Sequence, residues 1–104
     1  MNCCTGIIRC QECGKNFNYK NNNGTEIYVC QTRKNRGVNA CKSQIVKQQF
    51  LLDIIEKHCL DRQKNYSNSR LKLFVTTIYV SSNQIKILYK DGTISMVRPN
   101  EIIF

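Results

Sequence analysis

The chain has 104 residues, with sixteen Lys+Arg against seven Asp+Glu, a formal net charge of +9 and seven cysteines. That length limits it to one domain or two small lobes, with a modest core burying roughly 60–68% of the unfolded surface. No apolar run nears the ~18 residues of a membrane span, and Met1-Asn2-Cys3-Cys4 lacks the basic stretch and long apolar core of a secretory leader.

These exclusions predict a cytoplasmic protein whose thiols stay reduced. An odd number of cysteines also fits a closed disulfide set poorly. Most of the positive charge lies early: residues 1–49 hold eight basic and two acidic side chains, residues 50–104 eight and five. Such a surplus predicts attraction to a polyanion, most often nucleic acid.

In chain order, Ile7 and Ile8 lead into the first cysteine pair, Cys10 and Cys13. "GKNFNYK" then alternates Phe17 and Tyr19 with polar residues, the period of a half-buried strand. "NNNG", Asn21 to Gly24, supplies residues that tolerate positive φ and predicts a hairpin tip. "TEIYVC" returns as the partner strand, with Ile27 and Val29 on one face. "QTRKNRGVNA", between Cys30 and Cys41, is a polar, basic loop.

Ser43 is positioned to cap a helix running to about Cys59 or Leu60. Val46, Phe50, Ile54, Leu51 and Ile55 recur at helical spacing and form an apolar face to pack on the strands. "LDRQKNYSNSR", Leu60 to Arg70, breaks that pattern as a linker. The tail is β: "LKLFVTTIYV" is rich in branched and aromatic residues, "SSN" turns, and "QIKILYK" alternates. "DG" at Asp91-Gly92 marks a hairpin, and "TISMV" returns before Pro99.

The cysteines admit three readings: a metal clasp, a disulfide frame and a redox pair. "CQEC" has no βαβ pattern around it, which argues against a thioredoxin-like pair. Cys10 and Cys13, with Gly14 directly behind, have the spacing of a zinc knuckle. Its N–H groups can point at thiolate sulfur, and glycine permits a close approach. Cys30 ends the returning strand and Cys41 closes the following loop. The four thiolates would make a closed tetrahedral Zn²⁺ site with no open position for a substrate. Cys59 is expected as a small core residue, and Cys3 and Cys4 as frayed thiols. His58, near the end of the helix, is expected as favourable charge placement. Asp53, Glu56 and Asp61 read as ordinary polar-face residues, and no catalytic constellation emerges.

"TGIIRCQECGKNFNYKNNNGTEIYVCQTRKNRGVNACKSQIV", Thr5 to Val46, closely resembles the recombinase zinc β-ribbon of large serine recombinases, the phage integrases and transposon recombinases. The resemblance rests on the "TG-hydrophobic-hydrophobic-R-C" lead-in, the "CxxCG" knuckle, the "Y-x-C" strand, and a basic loop to a last cysteine followed by a helix. "FVTTIYVSSNQIKILYKDGT", Phe74 to Thr93, is similar to the closing β-hairpin of the same region. The resemblance implies an α+β fold: a zinc ribbon over residues 1–46, then a helix and closing antiparallel hairpin over 47–104, packed as one small DNA-binding unit. It also implies zinc on Cys10, Cys13, Cys30 and Cys41, and a role in recognising attachment-site DNA in integration and excision by a bacterial or phage-encoded recombinase. The resolvase domain with its nucleophilic serine is absent, so this chain is not expected to cut DNA. Only about residues 60–72 stand where the family often carries a long coiled coil, so the unit is expected to lack it.

The residues point the same way. A two-stranded ribbon fits the major groove of B-DNA. The expected DNA contacts are Arg9, Lys15, Lys20, Arg33, Lys34, Arg36, Lys42 and Lys47. The lysines should meet phosphate, which positions rather than specifies. Arg33 and Arg36, in a loop with Asn35 and Asn39, are the expected base readers. Partners would be double-stranded DNA and, further, other recombinase subunits; neither membrane nor small-molecule substrate is expected. The alternative is a stand-alone zinc-ribbon interaction or regulatory module without DNA binding, which an exposed apolar side of the helix would favour.

Overall fold

The computed structural model describes residues 4–32, 45–61 and 66–98. Turn chemistry sets its first hairpin. Asn23 (φ 53°) and Gly24 (φ 89°) both take positive φ, the requirement of a two-residue hairpin loop twisted to match its strands. The Asn21 side chain accepts the Gly24 N–H at 2.9 Å and fixes the tip. Strand β2 (Phe17–Asn22) therefore returns as β3 (Thr25–Cys30), with Phe17 opposite Cys30 and Asn22 opposite Thr25. A short strand, β4 (Val46–Lys47), adds to β3 and completes a three-stranded antiparallel sheet in the order β2-β3-β4.

The alternation splits this sheet into two faces. Phe17, Tyr28, Cys30 and Val46 are buried on one side. Asn18, Lys20, Asn22, Ile27, Val29 and Lys47 share the other, by register.

The second sheet joins the two ends of the chain. Strands β5 (Val75–Val80), β6 (Ile85–Tyr89) and β7 (Ile94–Val97) form an antiparallel meander. Strand β1 (Ile8–Cys10) lies parallel to β5, giving the order β1-β5-β6-β7. Ile8 stands opposite Ile78, and Cys10 opposite Val80. Backbone bonds from Ile78 N–H to the Ile7 carbonyl (2.7 Å) and from Gln11 N–H to the Val80 carbonyl (2.8 Å) hold the junction.

Helix α1 (Gln48–Asp61) follows β4 directly and buries Leu51, Leu52, Ile55 and Cys59. These side chains belong to one apolar cluster with Ile8, Phe17 and Tyr28 from the early chain and with Leu71, Ile78, Ile85 and Ile87 from the tail. Among the described residues, no helix is long and apolar enough to cross a membrane. The fold is α+β, as expected from the sequence.

Several local expectations change. The helix starts at Gln48, after a strand, so Val46 is a β-residue opposite Tyr28 and does not belong to the helical stripe. Ser43, the expected cap, lies outside the described residues. Leu71–Phe74, read as the start of a strand, instead forms a short helix, α2, after a 3-10 turn at Asn68–Arg70. Cys4 is not a frayed thiol. It is fully buried, and its N–H donates to the Tyr28 hydroxyl at 2.9 Å.

Candidate functional site

Strand β1 ends at Cys10, where the chain turns through Gln11, Glu12 and Cys13. Gly14 N–H donates to the Cys10 carbonyl at 3.0 Å, and Cys10 N–H to the Lys15 carbonyl at 2.8 Å. Gly14 has φ 77°, and apart from its chain neighbours no described residue has an atom within 4 Å of where a Cβ would stand. The sequence suggested a close approach at this glycine. The structure instead assigns its use to the left-handed backbone that brings the chain round.

Cys30 arrives from the end of β3. The Sγ atoms of Cys10, Cys13 and Cys30 lie within 4.8 Å of one another. Cys13 and Cys30 sulfurs are 3.3 Å apart, well beyond the ~2.05 Å of a disulfide. Sulfurs around a tetrahedral zinc, at about 2.3 Å from the ion, stand about 3.8 Å apart, a separation the cluster brackets. Cys10 and Cys30 are buried and Cys13 is half-buried, so the site faces inward with one edge toward water.

The surroundings favour thiolate. Burial pushes the Cys13 thiol up. Hydrogen bonds from the Thr32 side chain, the Lys15 backbone N–H and the Cys30 and Cys10 thiols outweigh that push and bring its pKa from 9.0 down to about 6. A backbone N–H aimed at sulfur is the contact expected of a knuckle. The supporting hydroxyl of Thr32 was not anticipated, although a threonine two residues past a ligand is a readable signal. The donor set, three convergent soft sulfurs, fits a structural zinc ion. Bound there, the ion would tie the β1 turn to the end of β3. Cys41, the expected fourth ligand, lies outside the described residues.

The expected DNA contacts fall into separate groups. Lys20 and Lys47 come together in one cross-strand row, both in register with Ile27 on β3. Arg9 stands apart on β1, opposite Tyr79 of the four-stranded sheet. Lys15 is exposed beside the knuckle. Arg33, Lys34, Arg36 and Lys42 lie outside the described residues.

His58 has a structural setting. Its ring stacks on Tyr89 at 3.8 Å and 9°, with Nε2 at 2.9 Å from Thr93 Oγ1 and Nδ1 at 3.4 Å from Ser95 Oγ. Cys59 is buried in the core, as expected.

No curated protein matches the chain in sequence. A solved structure described as "Sequence Requirements of the Listeria innocua prophage attP site" has the same fold, with a TM-score of 0.61 and 19% identity. The match covers 85% of this chain and 42% of that one, so the chain spans less than half the length of its structural relative. The profile of the "Recombinase zinc beta ribbon domain" matches residues 3–60, more than half of the chain and the stretch that contains the thiol cluster. The chain therefore belongs to the recombinase zinc β-ribbon family, a non-catalytic domain of recombinases.

Proposed function

We propose that this chain binds duplex DNA as the zinc-ribbon domain of a serine site-specific recombinase, recognising attachment-site DNA during integration and excision. The observation that carries the reading is the convergence of Cys10, Cys13 and Cys30 inside the stretch matched by the recombinase zinc-ribbon family. The fold shared with a structure described by a prophage attP site supports it, as does the net charge of +9.

Zinc on Cys10, Cys13, Cys30 and, in this reading, Cys41 stiffens the ribbon before DNA arrives, so its basic side chains need little further ordering on binding. Arg9, Lys15, Lys20, Lys34, Lys42 and Lys47 meet phosphate, while Arg33 and Arg36 reach guanine edges. Strand cleavage belongs to a resolvase-type domain and not to this unit. Other recombinase subunits are further partners.

A stand-alone protein-interaction module was to be favoured by an exposed apolar helix face. Of that face, Leu51 and Ile55 are buried and Phe50 and Ile54 are partly buried against the core, which weakens the alternative. A mobility-shift titration against attachment-site and random duplexes separates the two. The DNA reading expects a retarded complex that weakens steeply with salt, because several counterions are released. A zinc-loaded chain that retards neither duplex at low salt contradicts it.

A further inference from the structure

The outward face of the three-stranded sheet carries more than lysines. Asn18, Lys20 and Asn22 alternate along β2, and their register partners on the same face are Val29, Ile27 and Thr25. Lys47 extends the middle row across β4. Asn18, Lys20, Asn22, Ile27, Val29 and the exposed Ile45 line a shallow groove of about 300 Å³.

The asparagines of this hairpin divide their work. Asn21 holds the tip through its side chain, and Asn23 supplies the left-handed turn. Neither task falls to Asn18 or Asn22, and neither amide has a hydrogen-bond partner among the described residues. No acidic side chain shares the face among those residues. Glu26, the carboxylate of β3, projects to the other side, where it accepts from the Tyr19 hydroxyl at 2.7 Å. The face therefore offers two ammonium groups, two uncommitted amides and a strip of branched apolar side chains.

We infer that this face lies in the major groove of duplex DNA, with Asn18 and Asn22 reading A·T base pairs. The inference rests on the DNA-binding reading above and adds the residues that choose sequence. A carboxamide can pair in two places with adenine N6 and N7, and apolar side chains pack on the thymine methyl. Val29 stands opposite Asn18 and Thr25 opposite Asn22, so a branched side chain with a methyl group lies beside each amide and supplies that second contact. Lys20 lies between the asparagines, where it and Lys47 meet phosphates and hold the register. Four residues along a strand span about 13 Å, equivalent to about four base steps, so the two amides address separate positions of one half-site.

The test is selection of binding sequences from a randomised duplex library by the full zinc-loaded chain and four variants. Circular dichroism and zinc content establish that each variant is folded. The wild type should enrich A·T pairs at two positions. Asn18→Ala and Asn22→Ala should each lose about tenfold preference at one of them, about 1.4 kcal/mol. Asn22→Asp should turn its position toward cytosine, because a carboxylate accepts from cytosine N4. Lys20→Ala should instead weaken all sequences alike and lower the salt slope by about one, with the enriched sequence unchanged. If the wild type selects a sequence that the folded asparagine variants also select unchanged, this inference fails and the DNA-binding reading stands. If the wild type binds no duplex, both fail together.

Discussion

The Tyr28 hydroxyl donates to Gln48 Oε1 at 2.6 Å, and both groups are buried. The same oxygen accepts the N–H of Cys4 at 2.9 Å. One phenol thus joins the start of the described chain, the middle strand of the ribbon and the first residue of the helix. Its ring also meets Tyr19 edge-on, with centroids 5.9 Å apart.

Tyr28→Phe should therefore destabilise the fold by about 1–3 kcal/mol, because two buried polar groups lose the oxygen they share. Chemical denaturation should show a lower midpoint at unchanged slope. An unchanged midpoint would remove this hydroxyl from the account of how ribbon and helix are joined.

Gly14→Ala tests the knuckle. Space exists for the methyl group, but φ 77° is unfavourable for an L-residue, so a penalty of about 1–2 kcal/mol is expected. Thermal unfolding and zinc affinity should both fall. A neutral substitution would place the reason for this glycine elsewhere.

The stack of His58 on Tyr89, with bonds toward Thr93 and Ser95, couples the end of α1 to β6 and β7. His58→Ala should lower stability by about 1–2 kcal/mol through the lost ring contact and hydrogen bonds. Zinc content should be unaffected. Loss of zinc from the folded variant would make this histidine a ligand, against the geometry seen.

Two tyrosines should titrate late. Acceptance by the Glu26 carboxylate, then burial, raises the Tyr19 phenol above 10.0; burial raises that of Tyr89. Because both folded-state values lie above the unfolded one, the stability they contribute is complete below about pH 10 and lost as pH climbs through the raised values. An absorbance titration at 295 nm should show phenols ionising above pH 10, and Tyr19→Phe and Tyr89→Phe should each remove one of them. If all the tyrosines ionise together near pH 10, the burial and bonding described for these two are wrong.

How much of this was readable in the residues follows from how far each determinant reaches. The Asn23-Gly24 tip and the Cys10–Gly14 knuckle are fixed by neighbours in sequence, and the sequence reading found both. The parallel pairing of Ile8–Cys10 with Ile78–Val80 joins segments some seventy positions apart, and three residues are too few for alternation to show. Leu71–Phe74 carries apolar residues that suit either period, and the preceding 3-10 turn decides for helix. Asn18 and Asn22 escaped notice because asparagine near a hairpin tip reads as turn chemistry. Only register places them on an open face beside Lys20.

The central claim is that the sulfurs of Cys10, Cys13 and Cys30 hold zinc. Zinc K-edge absorption on the purified, folded chain tests it most directly. The account predicts one zinc per chain in an all-sulfur first shell at about 2.3 Å, from these three cysteines and Cys41. A folded chain that carries no zinc, or holds it in an oxygen and nitrogen shell, contradicts it.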